Sequence, residues 1–499
     1  MNQIVRFFIP WLVMSGFHLS GQNAVNAISI AHSQRNIISY VDRSLDGSQK
    51  YVLRVDEKPF YMTNIQLRLD KLHGYLGWDD YALEKVIKRA ADDGFNTLSL
   101  PIFWREVEPV KDRFDWTILD KYMRWCKKYN VKMEMLWFSW SSGGRVQWLI
   151  NDRKKGIKVP RTPDYVCSAD GKSEYNILNK KWEYSLDWRD EKLRDRDKYV
   201  LGKIMDHIAF WEANNDQPHT IIGVQLGNEA RSHGDNIGTS EEIVDYYHHV
   251  GAAVKESKYV VWTRLNCVSN ETRGRLEANE AKRNNGGTNI DFVGIDIYGT
   301  TAERVKGNMG DQMPHLGKNY TMIMEIDAKD SNSPVYQMAA LAGDKAFDYY
   351  NMAVVDGNAL YDGGEGTTLI ERDHVIEVRN RNKILNLDNE DIALKANGKG
   401  LYVFNYAGNS TNPEVGLDGI SFTPATERSQ AVSIRHSPSE IVLLVTENGT
   451  FNIPSALRVV SASKGYFDKD NKWVNQGEVA IKDAKIIMPA TSAVLLKLK

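Results

Sequence analysis

Cysteine is scarce: Cys126, Cys167 and Cys267 are the only three in 499 residues. An odd number cannot all pair, and none stand in a Cys-x-x-Cys spacing, so no disulfide framework or cysteine metal site is built from them. No metal ion or organic cofactor is expected. Charge of one sign is lacking too: 63 Lys and Arg face 65 Asp and Glu, for a net charge of -2. Nothing in that balance recruits nucleic acid. No Gly-rich phosphate loop follows the first strand, which speaks against an open dinucleotide-binding sheet. Internal repeats and low-complexity tracts are missing as well.

Long apolar runs are nearly missing. The exception is Phe7 to Phe17, behind Arg6, with Val25-Asn-Ala27 as a small-residue cleavage site. The stretch is too short for an ordinary membrane span. It reads as a secretory signal peptide over residues 1–27, with a buried N-terminal helix as its rival. A secreted or periplasmic protein with no membrane span is the expectation.

What is present is ordinary globular material, 42% hydrophobic and 26% charged, and long enough for two domains. The chain is also rich in Trp (13) and Tyr (23), most of which are expected in the core. Residues from about 28 to 62 alternate apolar and polar, with a hairpin through Tyr51–Val55 and Phe60. Strand and helix patterns then alternate. Strands are expected at Met62–Gln66, Phe95–Pro101, Val131–Trp137, Ile221–Leu226, Tyr259–Arg264, Phe292–Ile297, Thr321–Ile326 and Met352–Leu360. Helical spacing falls between them, for example at Leu83–Ala91, Glu241–Lys255 and near Tyr336–Tyr349. Eight such units predict an α/β fold, a closed (β/α)8 TIM barrel over residues 28–365. The polar, aromatic segment Gly144–Leu193 reads as a pocket-shaping loop or a plain surface insertion. Short β-patterned runs take over at His374–Val378, Gly400–Asn405, Ile441–Val445 and Ala493–Leu498. They predict a C-terminal all-β sandwich over residues 366–499, with packing against the barrel as its main role.

Chemistry in a barrel gathers at the C-terminal ends of the strands. The apolar run from Ile221 ends in Gly227-Asn228-Glu229, and the run from Tyr320 ends in Glu325. The two Glu are 96 positions apart (325 minus 229), a gap that an eight-stranded barrel closes over its mouth. Two carboxylates brought there from different strands are the equipment for cleaving a glycosidic bond. Asn228 is suited to a sugar hydroxyl beside the reacting carbon. Gln66 and Arg68 follow the first strand and are further candidates for sugar hydroxyls, with a surface salt bridge as the rival role for Arg68. Trp104, Trp137 and Trp140 lie at strand ends, where one or two are expected to stack on a sugar and the others to pack. Asp327 competes with Glu325, because it shares its face if the strand continues. Asp296 ends another strand, where aspartate commonly orders a loop. Glu134 sits mid-strand and is expected to pair with a basic residue inside the barrel.

These residues, with Gly94-Phe-Asn-Thr97, Pro101-Ile-Phe-Trp104, Glu108-Pro109, Phe114-Asp-Trp116, Leu136-Trp-Phe-Ser-Trp140 and Gly223 to Glu229, resemble glycoside hydrolase clan A. Within it the β-galactosidase-like families 35 and 42 are the nearest in pattern, over about residues 50 to 365. The resemblance implies a retaining β-glycosidase acting on an oligo- or polysaccharide of plant or host origin. By the same resemblance Glu229 is the acid/base, Glu325 the nucleophile, Asn228 a sugar ligand and Tyr298 a partner of the nucleophile. Gly227 departs from the acidic or hydrophobic residue more usual before Asn-Glu. An endo-acting hydrolase of the mannanase or xylanase type and a non-catalytic glycan-binding protein are the rivals.

Overall fold

The computed structural model describes residues 35–44, 51–140, 162–168, 172–179, 185–215, 219–230, 238–307, 309, 319–350, 359–468 and 470–499. The expected leader and its cleavage site lie outside these residues, as do positions 144–161, 169–171 and 180–184 of the expected loop Gly144–Leu193. Among the described residues, no helix is long and apolar enough to cross a membrane.

Eight parallel strands close into a barrel: β1 (Thr63–Gln66), β2 (Thr97–Phe103), β3 (Lys132–Phe138), β4 (Ile221–Asn228), β5 (Trp262–Val268), β6 (Phe292–Ile297), β7 (Met322–Ile326) and β8 (Ala346–Tyr350). Helices lie outside, among them α1 (Asp80–Asp92), α2 (Thr117–Lys128), α3 (Glu191–Ala213), α4 (Ser240–Lys255), α5 (Thr272–Asn284), α6 (Ala302–Lys306) and α7 (Ser333–Ala342). Their starts are written in the sequence. Asp79 accepts from Ala82 N at 2.9 Å, and Thr239 and Glu242 cap α4 reciprocally.

Two expected strands fall elsewhere. The eighth is Ala346–Tyr350, inside the stretch whose spacing suggested a helix; the helix α7 ends at Ala342. The expected strand Met352–Leu360 lies almost wholly outside the described residues. The fifth barrel strand runs on to Val268, whereas Tyr259–Val260 pairs in parallel with Asn36–Ile37. Phe347 and Tyr349 are buried on the helix side of the strand, in the apolar core, while Asp348 is buried on the barrel side, beside Ser99. That alternation over five residues is too brief to overrule a helical neighbour in the sequence.

The N-terminal end of the barrel is plugged. Val41, Leu53 and Val55 of the hairpin pack with Met62, Ile222, Trp262, Phe292, Met322 and Met324 in one apolar cluster. The opposite end, where the strands finish, is polar.

Residues 372–394 are not β; before them the short strand Leu369–Glu371 pairs with Tyr361–Gly363. The run His374–Val378, patterned like a strand, opens helix α8 (Val375–Leu387), and Asn389–Leu394 is a further short helix. The sandwich follows. A seven-stranded sheet includes β9 (Gly400–Phe404), β10 (Ala431–Ser437), β11 (Glu440–Val445) and the C-terminal Ser492–Leu498, and a four-stranded sheet packs on it. Ile441, Leu443 and Val445 face the small sheet, while Val442 and Leu444 face Met338 and Leu341 of α7 and Ile384 and Leu385 of α8. Burial on both faces is why β11 reads as an unbroken apolar run.

Candidate active site

Two one-residue slips in strand register aim the site. Along β4 the pairing with β5 runs Gln225↔Arg264 and then Gly227↔Leu265. Leu226 and Gly227 therefore both face the helices: a Cβ on Gly227 would lie 2.2 Å from Tyr247 Cζ of α4. Asn228 returns to the inside. Along β7 the pairing with β6 runs Ile295↔Ile323 and then Asp296↔Glu325. Met324 and Glu325 both face inward as a result, Met324 in the apolar plug and Glu325 above it. A slip of this kind re-aims a side chain that strict alternation would send outward.

Glu229 follows in the left-handed region, at φ 46°, and its N–H donates to Asn266 O at 2.9 Å. That backbone costs a non-glycine residue about 1–2 kcal/mol. Such local strain is characteristic of functional positions.

Glu229, Asp296 and Glu325 each place one carboxylate oxygen within 4.8 Å of the other two. Glu325 is buried and held from two sides. Asn266 Nδ2 donates to its Oε1 at 3.1 Å, and Tyr298 donates its hydroxyl to Oε2 at 2.7 Å. Burial, then the Glu229 charge, push Glu325 above the usual carboxylate range; the Tyr298 hydroxyl, Arg68 and Arg264 pull it back. Asp296 is 2% exposed, and neither of its oxygens has a hydrogen-bond donor among the described residues. Burial, then Glu325 and Glu229, hold its proton well above the usual range. Like charges so close disfavour one another, which is why Asp296 and Glu325 are both raised.

Asn228 Oδ1 accepts from Gln225 Nε2 at 3.1 Å and from Asn266 Nδ2 at 2.9 Å, which leaves its own amide to donate elsewhere. Gln66 is buried at the end of β1. Arg68 is no surface residue: it is 8% exposed, bound by both arms to Asp70 at 2.9 and 2.7 Å, over the Phe138 ring.

The tryptophans are elsewhere. Trp104, Trp137 and Trp140 are all buried, with indole N–H groups donating to Glu108, Asp197 and Tyr246 at 2.9, 2.7 and 2.7 Å. Leu136 and Phe138 cluster with Phe103, apart from the core that holds Trp137. Period-2 alternation puts Trp137 on the opposite, helix-facing side of β3. Asp327 begins a turn beyond β7, beside Lys329. Glu134 pairs with Arg264 inside the barrel, as its mid-strand position suggests.

Asn266 is the residue that sequence reasoning missed. It bridges Asn228 and Glu325, and its signal is a lone amide in the apolar run Leu265–Val268. Ligand-type side chains also gather at Asp388, Asp391 and His436, where Lys395 lies 2.8 Å from Asp391 and supplies a cation.

A family model described as a domain of unknown function (DUF4978) matches residues 242–376, well under half the chain. That range holds Asp296, Tyr298 and Glu325 but not Glu229. No curated protein matches the sequence. Among solved structures, the chain is similar to a glycoside hydrolase family 30 endoxylanase from Clostridium papyrosolvens. The TM-score is 0.47 at 10% identity, over 91% of this chain and 98% of that one. An exo-beta-1,4-mannosidase from an Opitutaceae bacterium gives 0.48 at 15% identity, over 68% and 62%. Endo-glycoceramidase II from a Rhodococcus species, as its lactosyl-enzyme intermediate, gives 0.46 at 10%, over 89% and 98%. At such identities and scores none of these likenesses transfers an activity to this chain.

Proposed function

We propose that the protein is a retaining β-glycosidase that works by double displacement. The observation that carries this is the spacing of Glu229 and Glu325, with carboxylate oxygens within 4.8 Å at the barrel mouth. Retaining enzymes hold their two carboxyls about 5–5.5 Å apart; inverting ones leave about 6.5–9.5 Å for a water.

Glu325, with two donors on its carboxylate, is suited to carry charge and attack the anomeric carbon. Glu229 protonates the leaving oxygen. It then takes a proton from the water that frees the sugar from Glu325. Asn228 donates to the hydroxyl next to the reacting carbon, and Gln66, Arg68 and Tyr298 surround the same sugar. Within this reading the substrate is a plant or host glycan cleaved from its end in the β-galactosidase-like manner. Export through the leader at residues 1–27 belongs to the same proposal.

The test is a panel of nitrophenyl β-glycosides of galactose, glucose, mannose, xylose and arabinose, with the product anomer read by NMR. Retention, trapping of a 2-deoxy-2-fluoro sugar on Glu325, and loss of turnover in Glu325→Ala are expected. Inversion, or near-normal turnover in that variant, would overturn the proposal. Cleavage of internal bonds alone in polymeric mannan or xylan would replace exo with endo action.

A further inference from the structure

Asp296 is left over by that mechanism, and its surroundings are unusual. It stands on β6 between Val268 of β5 and Glu325 of β7 in register, at 2% exposure. The charged groups facing it are Glu325 from β7, Glu229 from the end of β4 and Arg264 from β5. The Arg264 guanidinium is already bound to Glu134 through Nε and Nη2. Among the described residues no donor reaches either Asp296 oxygen.

A buried carboxylate without donors is costly, so the carboxyl is neutral and its O–H needs an acceptor. Each Glu325 oxygen already accepts one donor, from Asn266 and from Tyr298. Glu229 places a carboxylate oxygen within 4.8 Å and is the group in hydrogen-bonding relation to Asp296.

We propose that Asp296 is a positioning residue for the acid/base, a neutral carboxyl that donates a hydrogen bond to Glu229. This rests on the assignment of Glu229 above. When Glu229 gives its proton to the leaving oxygen, the Asp296 O–H stabilises the carboxylate left behind. The Asp296 proton itself is not transferred. The second step restores the Glu229 proton from water.

The experiment compares wild type, Asp296→Ala and Asp296→Asn on aryl β-glycosides running from dinitrophenol to phenol as leaving group. Dinitrophenolate departs without acid help; phenolate needs it. In Asp296→Ala the phenyl glycoside should slow by about tenfold to a hundredfold, the worth of a hydrogen bond to a charged group. The dinitrophenyl glycoside should change little in glycosylation rate, and the alkaline limb of the pH profile should move up. Asp296→Asn keeps a donor and should stay within about fivefold of wild type on every leaving group. An equal loss on all leaving groups, a downward move of the alkaline limb, or a hundredfold loss in Asp296→Asn would overturn the inference. Should Asp296→Ala not fold, the Asn variant decides alone. Absence of retaining hydrolysis by wild type would instead sink the function proposed above.

Discussion

The Asn266 amide donates to Glu325 Oε1 at 3.1 Å and, through the same nitrogen, to Asn228 Oδ1 at 2.9 Å. One side chain thus fixes both the proposed nucleophile and the amide proposed to hold the sugar. A donor to a charged oxygen is worth about 1.5–3 kcal/mol. Asn266→Ala should lower kcat/KM by about tenfold to a hundredfold. Loss of a donor favours the protonated form of Glu325, so the acidic limb of the pH–rate profile should move to higher pH. An unmoved limb with unchanged kcat/KM would count against the role.

Gly227 meets the Tyr247 ring, where a Cβ would lie 2.2 Å from Cζ. Gly227→Ala should cost about 1–3 kcal/mol by overpacking. Thermal denaturation checks this, and Tyr247→Phe should not relieve it, because the ring carbon rather than the hydroxyl lies closest. The same contact explains why an acidic or bulky residue does not precede Asn228 here.

Arg264 and Glu134 form an ion pair inside the barrel, with side chains 1% and 0% exposed. Removing one partner of a buried pair costs about 3–5 kcal/mol, because the other charge is left alone. Arg264→Met should therefore be more destabilising than the double change Arg264→Met with Glu134→Leu. Urea denaturation of the three proteins separates the two outcomes.

Asp197 accepts from Trp137 Nε1 at 2.7 Å and from Tyr246 at 2.8 Å, yet burial outweighs both donors and raises it to about 6. The native state binds this proton more tightly than the unfolded chain does. Its contribution to stability is full below about pH 4 and is lost as pH rises through about 6. Denaturant midpoints of wild type should fall over that window by more than those of Asp197→Asn.

Much of this was legible in the sequence. Strand–helix alternation announced the barrel, and the ends of β4 and β7 announced that Glu229 and Glu325 meet at its mouth. Part of what escaped comes from the phase of short strands. A slip at Leu226–Gly227 or at Met324–Glu325 leaves no mark in a pattern of period two, and it decides which side chain enters the mouth. The same phase sends Trp137 outward although Trp looks like a sugar platform. Asn266 escaped because its strand was ended too soon, at Arg264. Helix α8 escaped because Val375, Ile376 and Val378 have strand-like chemistry, while the Ile384–Leu385 face that docks it on the sandwich lies farther along.

Helix α7 is buried at every position from Ser333 to Ala342. Val335, Ala339 and Ala340 touch the barrel core, and Met338, Leu341 and Ala342 touch the sandwich. An outer helix of a free-standing barrel would show water a polar flank, and this one has none to show. Cutting the chain after residue 365 would therefore uncover a greasy stripe on the barrel, and the excised barrel should aggregate rather than survive on its own.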